Sequence, residues 1–126
     1  MGLPTTLDAI KDEELRLGRE LPELVKSIIL ENNGGAECLA KGNDDEIWYL
    51  FSVKDTRSRK HASRSANHIE RETNSAQNWI GFPKDAIALG ENGSGDYLIS
   101  LRDSHYIHIW RHENGKISET SIVLLS

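Results

Sequence analysis

Cysteine is almost absent from this chain of 126 residues: Cys38 stands alone, so no internal disulfide can form, and a reducing compartment suits it. No apolar run approaches the ~18 residues of a membrane span. The opening stretch MGLPTTLDAIKDEEL has no basic segment followed by an apolar one, which predicts no signal peptide. These absences together predict a cytoplasmic protein with no membrane partner. Basic charge is also short: 15 Lys and Arg stand against 20 Asp and Glu, for a net charge of −5. That balance disfavours nucleic acid as a partner and favours basic proteins.

What is present suffices for one domain spanning residues 1–126. A chain of this length buries about two-thirds of its unfolded surface without staples. Hydrophobic residues make up 37%, with three Trp and three Tyr among them. The charge is unevenly spread. Residues 1–46 carry a net −6 and residues 72–126 a net −3, while KDTRSRKHASRSANHIER at 54–71 carries +4.

Helical signals come first. Thr5 or Thr6 caps a first helix, which Gly18 ends. In LPELVKSIILENNGG, Leu21, Leu24, Val25, Ile28 and Ile29 make one apolar stripe, with Pro22 opening the helix and Asn33, Gly34 and Gly35 closing it. The period then changes. EIWYLFSV alternates and has apolar residues on both faces, which predicts a central strand with AECLA as its partner. Residues 54–78 are expected to form a loop and then a helix that carries the basic side chains outward. After residue 80, AIALG, DYLISL, HYIHIWRH and ISETSIVLL read as consecutive strands joined by tight turns, with Asn114-Gly115 a hairpin signal. Helices followed by strands give an α+β class: N-terminal helices on a mainly antiparallel, bent sheet of about five to six strands. Leu24, Ile28, Trp48, Leu50 and Ile99 are expected in the core.

The chemistry-bearing patterns are weak. His105, His108 and His112 have the spacing of metal ligands, but their segment reads as a strand. There His108 and His112 share a face ~13 Å apart, while His105 points to the other face. One ion needs its nitrogens within ~2.1 Å, so no metal is expected. GENGSG is followed by Asp96 and a strand, not by the helix start a phosphate cradle needs. No G-x-S-x-G nucleophile elbow occurs. Cys38 sits in an apolar strand as a buried packer, and Asp96 serves the turn after Gly95. No catalytic residue and no cofactor are expected.

Two stretches carry a resemblance. LGRELPELVKSIILENNGG is a short helix end, Leu-Gly, Leu-Pro, a helix and Asn-Gly-Gly. IALGENGSGDYLISLRDSHYIHIWRHENGKI runs through Gly90, a turn ending in Gly95-Asp96, a strand, a turn and an aromatic strand closing on Trp110, His112 and Glu113. In this order they resemble the SUKH superfamily, which includes the fungal SMI/KNR-type cell-wall regulators. Arg111 departs from the acidic or polar residue that often precedes His-Glu there. The C-terminal helix common among members would fall beyond Ser126, so its place on the sheet is open or taken by another chain.

The resemblance implies a non-enzymatic binding protein. Many bacterial members look like cytoplasmic immunity proteins that neutralise a toxin domain, often a nuclease. The alternatives are a housekeeping scaffold of the same fold and a metal-dependent enzyme using the histidines. For a basic toxin domain, the expected contacts are Asp44 and Asp45, in GNDDE, and Asp103, in RDS, as exposed loop acids. The surface around Tyr106, His108 and Trp110 is the other candidate. Nothing in the sequence fixes the oligomeric state.

Overall fold

The computed structural model describes residues 2–125, apart from the side chain of Asp44. Helix α1 (Leu7–Leu17) starts where the Thr6 hydroxyl accepts from the Ala9 N–H at 3.1 Å. It ends at Gly18, whose φ of 81° lets its N–H turn back to the Glu14 carbonyl at 2.8 Å. Helix α2 (Glu23–Glu31) begins immediately after Pro22 and buries Val25, Ile28 and Ile29. Leu24, expected in the core, is 41% exposed. It sits in the first turn at the rim of the apolar stripe, where the helix meets solvent.

The chain then forms β1 (Glu37–Ala40) and β2 (Asn43–Leu50), two short helices α3 (Arg59–Arg64) and α4 (Ile69–Ala76), and β3 (Ile87–Glu91), β4 (Tyr97–Ser100), β5 (Ile107–Trp110), β6 (Ile117–Thr120) and β7 (Ile122–Leu124). Helix α3 buries none of its residues and carries Arg59, Lys60 and Arg64. Helix α4 buries Ile69, Thr73 and Ala76. It packs on β3, where the Thr73 hydroxyl accepts from the Ala88 N–H at 2.9 Å. Strand β3 is therefore covered on both faces.

Seven strands form one sheet in the order β6-β5-β4-β3-β2-β1-β7, and every strand pairing is antiparallel. Consecutive β6 and β7 lie at opposite ends of that order, with only Ser121 between them. The sheet must curl until its ends meet. Ser121 is the stitch, its carbonyl accepting from the Lys41 N–H at 2.8 Å. This α+β architecture is the expected one with more strands than expected, because ISETSIVLL forms two strands rather than one. Gly90 permits the curl: a Cβ there would lie 2.6 Å from the Tyr49 carbonyl oxygen.

The sheet encloses Trp48, Leu50, Leu98 and Cys38. On its other face, Phe82 meets Trp110 edge-on at 5.3 Å and Tyr97 at 5.7 Å. Ile28, Trp48, Leu50 and Ile99 are core residues as expected. The outer face of β2 is not covered: Ile47 and Tyr49 are each 39% exposed, so β2 is buried on one side only. The acidic stretch Asp44–Glu46 lies within β2, not in a loop before it.

Candidate functional site

Among the described residues, an open groove of ≈ 800 Å³ lies at the seam of the curled sheet. Five stretches of the chain make it. Its floor includes the cross-strand row Ser100, Ile107 and Thr120, brought into register by β4, β5 and β6. One wall is the α1–α2 connection from Glu20 to Leu24. The other ends are Ser104–Tyr106, ahead of β5, and the Ser121–Lys41 stitch. Leu21 is buried, while Leu24 and Tyr106 stand half out of the surface. Glu20, Glu23 and Glu119 line the groove with Lys41 as its one cation. A second cavity of ≈ 360 Å³ shares Glu20, Ser100, Ser104 and His105 with the first and adds Asp103.

The expected contact residues divide. Asp103 is exposed at the second cavity, and Tyr106, 60% exposed, lines the groove. Asp45 is exposed in β2, beyond the turn that holds Lys41. The side chain of Asp44 lies outside the described residues. His108 is half-buried in β5, opposite Glu119 of β6. Trp110 does not belong to a surface. It is wholly buried, and its indole N–H donates to the Gly81 carbonyl at 3.1 Å. Strand alternation places it beside Tyr97, on the face that Phe82 covers. The expected sheet surface around Tyr106, His108 and Trp110 is thus reduced to Tyr106 and the edge of His108.

The motif residues at the other end of the sheet form a closed polar network. Asp96 Oδ1 accepts from the His112 N–H at 3.0 Å and lies 2.7 Å from His112 Nδ1. Its Oδ2 accepts from Asn92 and from Arg111 Nη1, each at 3.0 Å. Burial alone would raise the pKa of Asp96, but these donors outweigh it and hold the carboxyl at about 2. Arg111 also grips Glu46 with both nitrogens and lies over the Trp48 ring, 5.6 Å from its centroid. Hydrogen bonding to Arg111 holds Glu46 below the usual carboxylate range. With its acceptors saturated, Asp96 is placed to hold the turn, not to move protons.

Among the described residues, one group of metal-capable side chains comes together: Glu13, His68 and Glu70. It was not visible in the sequence, where Glu13 sits in a run of exposed-looking charges. Glu13 is fully buried, and both oxygens are occupied. Oε1 accepts from Arg16 at 2.6 Å and the Lys54 N–H at 2.9 Å. Oε2 accepts from the Glu70 N–H at 2.7 Å and lies 2.8 Å from His68 Nδ1. An ion would have to displace these donors, so the group serves as a staple between α1 and the start of α4. His105, His108 and His112 do not form such a group. Cys38 is buried, which pushes its thiol pKa up to about 11 and away from nucleophilic use.

Residues 4–122 match the profile of the SMI1 / KNR4 family (SUKH-1). No curated protein and no solved structure matches the chain significantly. No helix among the described residues is long and apolar enough to cross a membrane.

Proposed function

Since the chain belongs to the SMI1 / KNR4 family (SUKH-1), we propose that it is a non-enzymatic binding protein of the immunity type, which neutralises a toxin domain by direct contact in the cytoplasm. The observation that carries this reading is the seam groove. It is lined by the half-exposed apolar residues Leu24 and Tyr106 together with the acidic residues Glu20 and Glu23. Apolar anchors inside a polar rim are the anatomy of a protein interface. The carboxylates suit a basic partner, such as a nuclease domain, whose approach they would steer. Asp96 and Glu13 are engaged by their donors, and Cys38 by burial.

Co-expression with the product of the adjacent gene tests the proposal. Rescue of a host from a toxic neighbour, with a complex recovered from the cells, is the expected result. A harmless neighbour that forms no complex would favour a housekeeping scaffold of the same fold.

A further inference from the structure

Three asparagines in this chain are followed directly by glycine: Asn33-Gly34, Asn92-Gly93 and Asn114-Gly115. Glycine has no side chain to shield its backbone nitrogen, so such asparagines are the most open to loss of ammonia. The fold places the three differently. Asn33 is buried, and its amide clamps Val53, with Nδ2 donating to the carbonyl at 2.9 Å and Oδ1 accepting from the N–H at 2.8 Å. Asn92 Nδ2 donates to the carboxylates of Glu46 at 2.9 Å and Asp96 at 3.0 Å, inside the polar network. Asn114 stands exposed at the tip of the β5–β6 hairpin. Its Oδ1 accepts from the Lys116 N–H at 2.9 Å, and among the described residues its Nδ2 has no hydrogen-bond partner.

We infer that Asn114 is a site of spontaneous deamidation, the one of the three that reacts in the folded protein. The Gly115 nitrogen gives its proton to hydroxide and attacks Asn114 Cγ. A C–N bond forms, the Cγ–Nδ2 bond breaks, and ammonia leaves with a proton taken from water. Water then opens the succinimide ring at either carbonyl, which leaves aspartate or isoaspartate at position 114. The Lys116 N–H already points at the oxygen on which charge develops. The Gly115 N–H donates to the Arg111 carbonyl at 2.8 Å, and that bond must open first. It closes a tip where residues 113–116 are all exposed, so opening costs little. Among the described residues the Gly93 N–H has no backbone acceptor. Its deprotonation, however, would set a negative charge beside Glu46 and Asp96, and those same carboxylates hold the amide that must leave. The hairpin tip lies at the end of β5 away from Tyr106, so the reaction is independent of what the groove binds.

The test is to age the folded protein in mildly alkaline buffer below its unfolding temperature, with a second sample aged in urea. Timed samples are cleaved after Lys and Arg, which puts the three asparagines on separate peptides, 27–41, 85–102 and 112–116. Mass spectrometry counts the aspartate forms, and chromatography separates isoaspartate, whose backbone is longer by a methylene. In the folded protein, peptide 112–116 is expected to convert at least roughly tenfold faster than either of the others, because only its amide is free to leave. In urea the other two should approach its rate. The variant Asn114→Gln, whose cyclisation needs a larger ring, should keep a single ion-exchange peak where the aged parent develops a more acidic one. Three outcomes overturn the inference: conversion of Asn92 or Asn33 in the folded protein as fast as that of Asn114, an unreacted Asn114 in folded protein while the urea sample converts, or the same acidic peak in the aged variant.

Discussion

Arg111 reaches Glu46 across 65 positions of sequence with two parallel hydrogen bonds, Nη1 to Oε2 at 2.9 Å and Nη2 to Oε1 at 3.0 Å. The fork ties the residue after β5 to β2, which is not its neighbour in the sheet. Asp96 accepts from the same Nη1, so one guanidinium joins three segments at the end of the sheet. Arg111 is thus a cation with two carboxylates to hold. Arg111→Met should destabilise the fold by about 2 kcal/mol, since Glu46 and Asp96 keep their charges and lose a shared partner. Chemical denaturation checks this. A loss under half a kcal/mol would mean that water replaces the guanidinium at no cost.

The same network makes stability acid-sensitive. Asp96 titrates at about 2 in the folded protein, against an ordinary 3.8. A depressed carboxyl contributes stability that is complete above the unfolded value and is lost as pH falls through the folded one. The contribution should amount to about 2 kcal/mol above pH ~4 and fade between pH ~4 and ~2. Asp96→Asn removes that step and puts an amide N–H₂ where four donors converge, so it should also destabilise at neutral pH. Denaturation midpoints of both proteins across this range decide the matter. Parallel curves for parent and variant would show that Asp96 contributes nothing.

Much of this fold is legible in the sequence because local chemistry and tertiary outcome agree. Thr6, Gly18 and Pro22 mark helix ends by satisfying or removing backbone groups, and the structure uses them in those places. The strands after residue 80 follow their alternation. The failures share a cause: each depends on a contact far away in sequence. ISETSIVLL has no local break, and only closure of the sheet splits it at Ser121. Glu13 looks like any surface acid on a helix until Lys54, His68 and Glu70 arrive around it. Trp110 reads from the sequence as a surface residue because alternation says which residues share a face but not which face is covered. The groove is invisible in the sequence for the same reason, since its lining comes from five separate segments.

Position within the apolar stripe of α2 should decide the cost of truncation. Ile28 is 7% exposed and Leu24 41%. Ile28→Ala should cost ~2–5 kcal/mol, with a cavity left against the sheet. Leu24→Ala should cost under ~1 kcal/mol. Equal losses in urea denaturation would mean that Leu24 is packed more tightly than its exposure implies.

Cys38 offers a probe of the closed sheet. Its thiol is buried between the β2 and β7 partners Trp48 and Leu124, with its pKa pushed up to about 11. Thiolate is the reactive form, so an aromatic disulfide reagent should modify native protein at pH 8 far more slowly than unfolded protein. The native rate should rise with urea well before the global transition only if β7 opens on its own. Rapid stoichiometric labelling without denaturant would contradict the burial.

The last expectation concerns how a basic partner arrives. Asp45 and Asp103 are exposed carboxylates, Asp45 on β2 and Asp103 at the second cavity, where Arg19 and Arg102 stand near it. Exposed rim charges contribute to encounter more than to the life of a complex, because water and salt screen them once the partner is docked. If the toxin domain is basic, association should slow as salt shortens the Debye length from ~10 Å at 0.1 M to ~3 Å at 1 M. The triple change Asp44→Asn, Asp45→Asn, Asp103→Asn should slow association several-fold at low salt and leave dissociation nearly unchanged. Stopped-flow association and surface-capture dissociation read the two rates separately. Equal effects of the triple change on both rates would remove the steering role of these three carboxylates, and an association rate indifferent to salt would remove steering altogether.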